Sequence, residues 1–121
     1  MIIQLNTDNH VDGNRDLFRD VETELSRSLA RFAAHLTRIE VHFHDDNASK
    51  SGANDKRCTL EARMAGHDPI AVTNTADTVR GSFVGARDKL ARLLEKRLAK
   101  LRPPKGRDPF NGVLTPQTDD L

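Results

Sequence analysis

The sequence predicts an α+β fold, a two-layer β-α-β-β-β-α sandwich with two helices on one face of a four-stranded mixed sheet. Three patterns point to it. Two long segments repeat apolar residues at steps of three and four, the period of a helix with one buried stripe. Four short segments alternate apolar and polar residues, the period of a strand with one buried face. A helix separates the first two strands, which implies a right-handed crossover and a parallel pair, whereas the later strands follow through turns and pair antiparallel.

Met1, Ile3 and Leu5 alternate with Ile2, Gln4 and Asn6 in the first strand, and His10 to Gly13 is a polar turn. Asn14 or Asp12 is expected to cap a long first helix, with Asp16 and Asp20 favoured near its positive end. Its buried stripe is Leu17, Val21, Leu25, Leu29, Phe32 and Leu36, with Arg27 and Arg31 on the far side. After Thr37 the period falls to two: Ile39, Val41 and Phe43 inward, Arg38, Glu40, His42 and His44 outward. Residues 45–55 (DDNASKSGAND) have the composition of a hairpin loop. Cys58, Leu60, Ala62 and Met64 then face the core, with Arg57, Thr59, Glu61 and Arg63 outward. Gly66 to Pro69 forms a tight turn, and Ile70 and Val72 carry the fourth strand inward while Ala71 and Thr73 face out.

The last helix is expected from Ala76 to Leu101, capped by Thr75 or Asp77 and stopped by Pro103-Pro104. Val79, Phe83, Ala86, Leu90, Leu94, Leu98 and Leu101 form its apolar floor; Lys89, Arg92, Lys96 and Lys100 form a basic roof on the opposite side. Gly81 and Gly85 fall on the side away from the sheet, where either a ligand backbone comes close or the apolar contacts absorb the cost of the glycines. The folded domain is thus residues 1–101. Residues 102–121 form a flexible tail with four of the five prolines, basic near the helix and acidic at Asp119-Asp120, with Phe110, Val113 and Leu114 as its apolar points.

Charge is the most informative bulk property. Residues 77–107 hold ten Lys/Arg against three acids, so they carry +7 and the rest of the chain −6, within a formal net charge of +1. A field so polarised attracts polyanions to one surface. With no Trp or Tyr and five Phe, stacking platforms are scarce, so nucleic-acid binding must rest on phosphate contacts and shape. No apolar run is long enough for a membrane span, and the start lacks a signal peptide's basic region; the expected compartment is the cytoplasm. The single cysteine, Cys58, fits that compartment and reads as a small buried hydrophobe. No nucleophile elbow, P-loop or catalytic carboxylate pair is present, so neither an enzyme nor a cofactor or small-molecule substrate is expected. His42, His44, Asp45 and Asp46, with Glu40 or Glu61, are the nearest approach to a metal site, but open sheet faces often carry such residues and no metal is expected.

The run NDKRCTLEARMAGHDPIAVTNTADT (54–78), followed by a helix containing DKLARLLEK (88–96), resembles the ribosome hibernation factors, the family of hibernation-promoting factor and protein Y, formerly called sigma-factor modulation proteins. The resemblance covers residues 1–101. It implies a fold likened to double-stranded-RNA-binding domains and a partner, the small ribosomal subunit. There the family occupies the channel of messenger RNA and the transfer-RNA anticodons and blocks translation in starved or resting cells. Family basic positions that face ribosomal RNA match Lys89, Arg92 and Lys96, already marked by periodicity with Lys100; a basic position late in the first helix matches Arg31 and, less directly, Arg27. Long members add a C-terminal dimerisation domain; this chain is expected to lack one, and its tail is nearer in length to that of protein Y. A regulator that binds protein without RNA is the alternative, separable by whether partners survive RNase treatment. A metal-dependent enzyme at His42 and His44 is a third, separable by elemental analysis.

Overall fold

The computed structural model describes residues 1–8, 15–46 and 56–101. The elements are β1 (Ile2–Thr7), α1 (Arg15–Ser28), a 3-10 turn (Ala30–Phe32), β2 (Leu36–Asp45), β3 (Lys56–Met64), β4 (Ile70–Ala76) and α2 (Val79–Leu101). The sheet order is β1-β2-β3-β4, with β1 parallel to β2 and the other pairs antiparallel. The predicted fold class is therefore the observed one. The expected caps Asn14 and Asp12, most of the 45–55 loop and the 102–121 tail lie outside the described residues.

Alternation decides which sheet face is dry. Ile39, Val41, Phe43, Cys58, Leu60, Ala62, Met64, Ile70 and Val72 are buried beneath the helices, joined by Val21 and Leu25 of α1 and by Phe83, Ala86, Leu90, Leu94 and Leu98 of α2. Phe43 and Phe83 meet at 6.4 Å between ring centroids, the tilted geometry aromatic pairs favour. Burial pushes the Cys58 thiol up to about 12, as expected of a core residue.

Three features differ from expectation, two of them element boundaries. The first helix ends at Ser28, not near Leu36. Phe32, Ala33, His35 and Leu36 then donate backbone bonds three residues back, a tightened descent that keeps Leu29 and Phe32 buried and delivers Leu36 as the first residue of β2. Leu36 thus belongs to a strand, and Arg31 to the turn. Secondly, β4 runs to Ala76, so Thr75 lies in the strand and α2 begins at Val79. Its cap is Thr78, whose Oγ1 accepts from the Gly81 amide at 2.9 Å, rather than Thr75 or Asp77. The alternation continues through Thr73 and Thr75 and overrides the helix start expected at Ala76.

The third difference concerns Gly81 and Gly85, which face the sheet side of α2. A Cβ on Gly85 would lie 2.1 Å from the side-chain nitrogen of Asn74, and one on Gly81 3.2 Å from the Ala76 Cβ. Asn74 Nδ2 occupies that space and donates to the carbonyls of Ser82 at 3.3 Å and Gly81 at 3.5 Å. The glycines admit a strand side chain, not a ligand.

Candidate nucleic-acid interface

α2 reverses along β4, which is an edge strand because it pairs only with β3. With Arg92 set at zero, Lys96, Lys89, Lys100 and Leu93 lie at about 40°, 60°, 80° and 100° around the helix, and the buried Phe83, Leu90 and Leu94 within about 20° of the opposite pole. The basic crest therefore leans off the expected roof, toward the open edge of β4. Lys89 Nζ reaches down to donate to the Thr73 carbonyl at 2.9 Å.

Crest and strand enclose a shallow groove of two adjoining depressions, about 350 and 210 Å³. Val72, Thr73, Lys89, Arg92, Leu93 and Lys96 line the first; Ile70, Leu93, Lys96, Arg97 and Lys100 line the second. Its floor is apolar and its rim cationic. Lys89, Arg92, Lys96 and Lys100 are exposed, and among the described residues none pairs with a carboxylate. Arg97, which sequence reasoning did not single out, closes the far end and donates to the Asp68 carbonyl at 3.4 Å. Its angle of about 140° placed it beside the floor rather than the crest, so periodicity alone gave no signal for it.

Arg31 and Arg27 stand on the other flank of α2. Glu95 and Asp88 lie at about −60° and −40°, between those arginines and the crest. Arg31 is 3.5 Å from Glu95 and its guanidinium stacks 4.6 Å above the Phe32 ring. The six predicted residues are thus brought together as four on one flank and two on the other.

Many of the other described charges are paired. Glu24 of α1 accepts from Arg87 at 2.8 Å and from Arg80, clasping the two helices. The Arg80 hydrogen bond, aided by the Arg87 charge, holds the Glu24 carboxyl below its ordinary range. Arg57 grips Asp46 with two bonds at 2.8 and 2.9 Å, and that contact chiefly lowers the Asp46 carboxyl. On the wet sheet face Glu40 lies 3.4 Å from Arg38, 3.6 Å from Arg63 and 3.4 Å from His42. His44 lies 3.7 Å from Asp8, and no group of three potential metal ligands converges among the described residues. Among the described residues, the α2–β4 groove gathers the largest group of cations without a carboxylate partner.

A family model described as sigma 54 modulation protein / S30EA ribosomal protein matches residues 5–102, all but the first strand's start and the tail. The chain belongs to this family. The S30EA proteins are ribosome-associated modulation factors and not a family of enzymes. Solved structures similar in fold include the following two. The N-terminal domain of Thermus thermophilus protein Y shares 16% identity at a TM-score of 0.64, over 79% of this chain and 98% of that one. A ribosomal subunit interface protein from Coxiella burnetii shares 20% identity at a TM-score of 0.62, over 82% of this chain and 99% of that one. No functionally curated protein matches the sequence. No helix among the described residues is long and apolar enough to cross a membrane.

Proposed function

We propose that this S30EA-family chain is a cytoplasmic ribosome hibernation factor: it binds the small ribosomal subunit in the decoding channel through ribosomal RNA phosphates and inhibits translation in resting or stressed cells. One observation carries the reading: four exposed cations with no carboxylate partner among the described residues, aligned on one flank of a helix, in a chain of a ribosome-associated family. Lys89, Arg92, Lys96 and Lys100 are the primary phosphate contacts. Arg27 and Arg31 add a second contact on the far flank, for which Arg31 exchanges Glu95 for a phosphate. The names of the similar structures, protein Y and subunit interface protein, support a ribosomal partner.

The mechanism needs no chemistry beyond occupancy. A pre-folded wedge held by helix and sheet loses little entropy on binding, and its bulk excludes the normal occupants of the channel. Each phosphate neutralised releases counterions, so four contacts give a log–log salt slope of about −3. Titration of small subunits at several salt concentrations measures that slope directly, and a value near zero would exclude phosphate recognition. Partners retained after RNase treatment would favour a protein-binding regulator instead.

A further inference from the structure

We infer that the α2–β4 groove is also a docking surface for the chain's own acidic segment, residues 108–121, so that the segment and the RNA compete for one set of cations. The docking stands on the groove's geometry; the competition rests on the ribosomal reading above.

Three observations converge. The first is charge. The rim presents Lys89, Arg92, Lys96, Arg97 and Lys100, while residues 108–121 contain Asp108, Asp119 and Asp120 and no Lys or Arg. The second is apolar matching. Leu93 is 41% exposed and shared by both depressions, where it lies with Val72 and Ile70 among the cations as an apolar surface a partner side chain can cover. The acidic segment carries Phe110, Val113 and Leu114, apolar side chains able to cover that floor, ahead of Asp119 and Asp120.

The third is where the helix delivers the chain. α2 ends at Leu101, one residue after Lys100, which lines one mouth of the groove with Ile70. Lys89 at the other end is about 17 Å back along the helix. Residues 102–121 reach up to about 66 Å when extended, ample to reverse at Pro103-Pro104 and Gly106 and lie beside β4. The edge of β4 offers main-chain groups to such a strand, and a tethered segment needs little intrinsic affinity. At the roughly millimolar local concentration of a short linker, a dissociation constant of about 1 mM already fills half the grooves.

The experiment uses the full chain, without ribosomes, carrying a nitroxide at Thr118→Cys; Cys58 is buried and is not labelled in the folded protein. Docking predicts strong broadening of the backbone amides of Thr73, Lys89, Leu93 and Lys96. The broadening is lost when Asp108, Asp119 and Asp120 are all changed to Asn, and at about 0.5 M salt, where screening is short-ranged. Broadening confined to the residues next to Leu101, or indifferent to the three substitutions, overturns the proposal. So does equal broadening of an unlabelled, isotope-enriched copy mixed with the spin-labelled protein, which would mean contact between molecules.

A second arm tests competition. The three Asp→Asn changes are expected to tighten small-subunit binding about 2- to 10-fold, the gain from freeing a groove occupied in half to nine-tenths of molecules. Unchanged affinity overturns the competition. A protein that shows the broadening but binds no subunit would keep the docking and remove the ribosomal reading; binding without broadening would do the reverse.

Discussion

Cys58 and Glu24 show how neighbours set the chemistry of single residues. Cys58 lies on the inward side of β3 with no exposed surface, and burial alone raises its thiol to about 12 from 9.0. The thiolate fraction of the folded state is about 1,000-fold lower than that of an open chain. Thiol-reagent kinetics at pH 8 should therefore follow opening of the fold, with rapid modification only in denaturant. Glu24 is held between Arg80 and Arg87, and Glu24→Gln should cost about 1 kcal/mol, mostly from the half-buried Arg87 side because the exposed Arg80 end is screened. The sign of its pH dependence follows from its lowered folded value. Its contribution is complete above the ordinary carboxylate range near about 4.3 and disappears as pH falls through the folded value. Wild-type and Glu24→Gln denaturation curves should converge on acidification; a gap that widened would contradict the clasp. The exposed Arg31–Glu95 pair is weak by comparison, and Arg31→Ala should change stability by less than about 0.5 kcal/mol.

At the scale of elements, the junction of β4 and α2 is where local pattern and tertiary contact part company. Alternation identified the inward residues of all four strands because each strand has one dry face, and the stripe of α2 was legible for the same reason. What the pattern could not carry was Asn74. A polar residue at an inward strand position reads as the end of the strand, unless a partner across the interface has no side chain; Gly85 is that partner. The leaning of the crest was hidden too, since helical periodicity fixes angles around α2 but not which flank meets the open sheet edge. The Asn74–Gly85 fit makes a specific prediction. In an Asn74→Ala background, Gly85→Ala should stabilise the protein by about 1 kcal/mol through helix propensity. In the wild-type background the gain should vanish or reverse, because the new methyl expels the Asn74 amide from the Gly81 and Ser82 carbonyls. Denaturant melts of the four proteins form a double-mutant cycle, and additive effects would show that the two residues are not coupled.

For the molecule as a whole, the distribution of charge matters more than its total. In a chain of net +1, the α1 clasp and much of the outer sheet face are paired internally, while the Lys89–Lys100 flank of α2 has no carboxylate partner among the described residues. That flank borders an apolar groove on the edge of the sheet, the surface at which the proposed phosphate contacts and the proposed docking of residues 108–121 coincide. Binding to small ribosomal subunits by the Lys89→Glu/Arg92→Glu/Lys96→Glu protein, followed by sedimentation at moderate salt and checked for an unchanged melting transition, tests this most directly. The reversed crest should lose association while staying folded, because all three side chains are exposed and, among the described residues, only Lys89 hydrogen-bonds another element, at the Thr73 carbonyl. Undiminished association by the folded variant would contradict the central claim, that this flank is what grips the subunit.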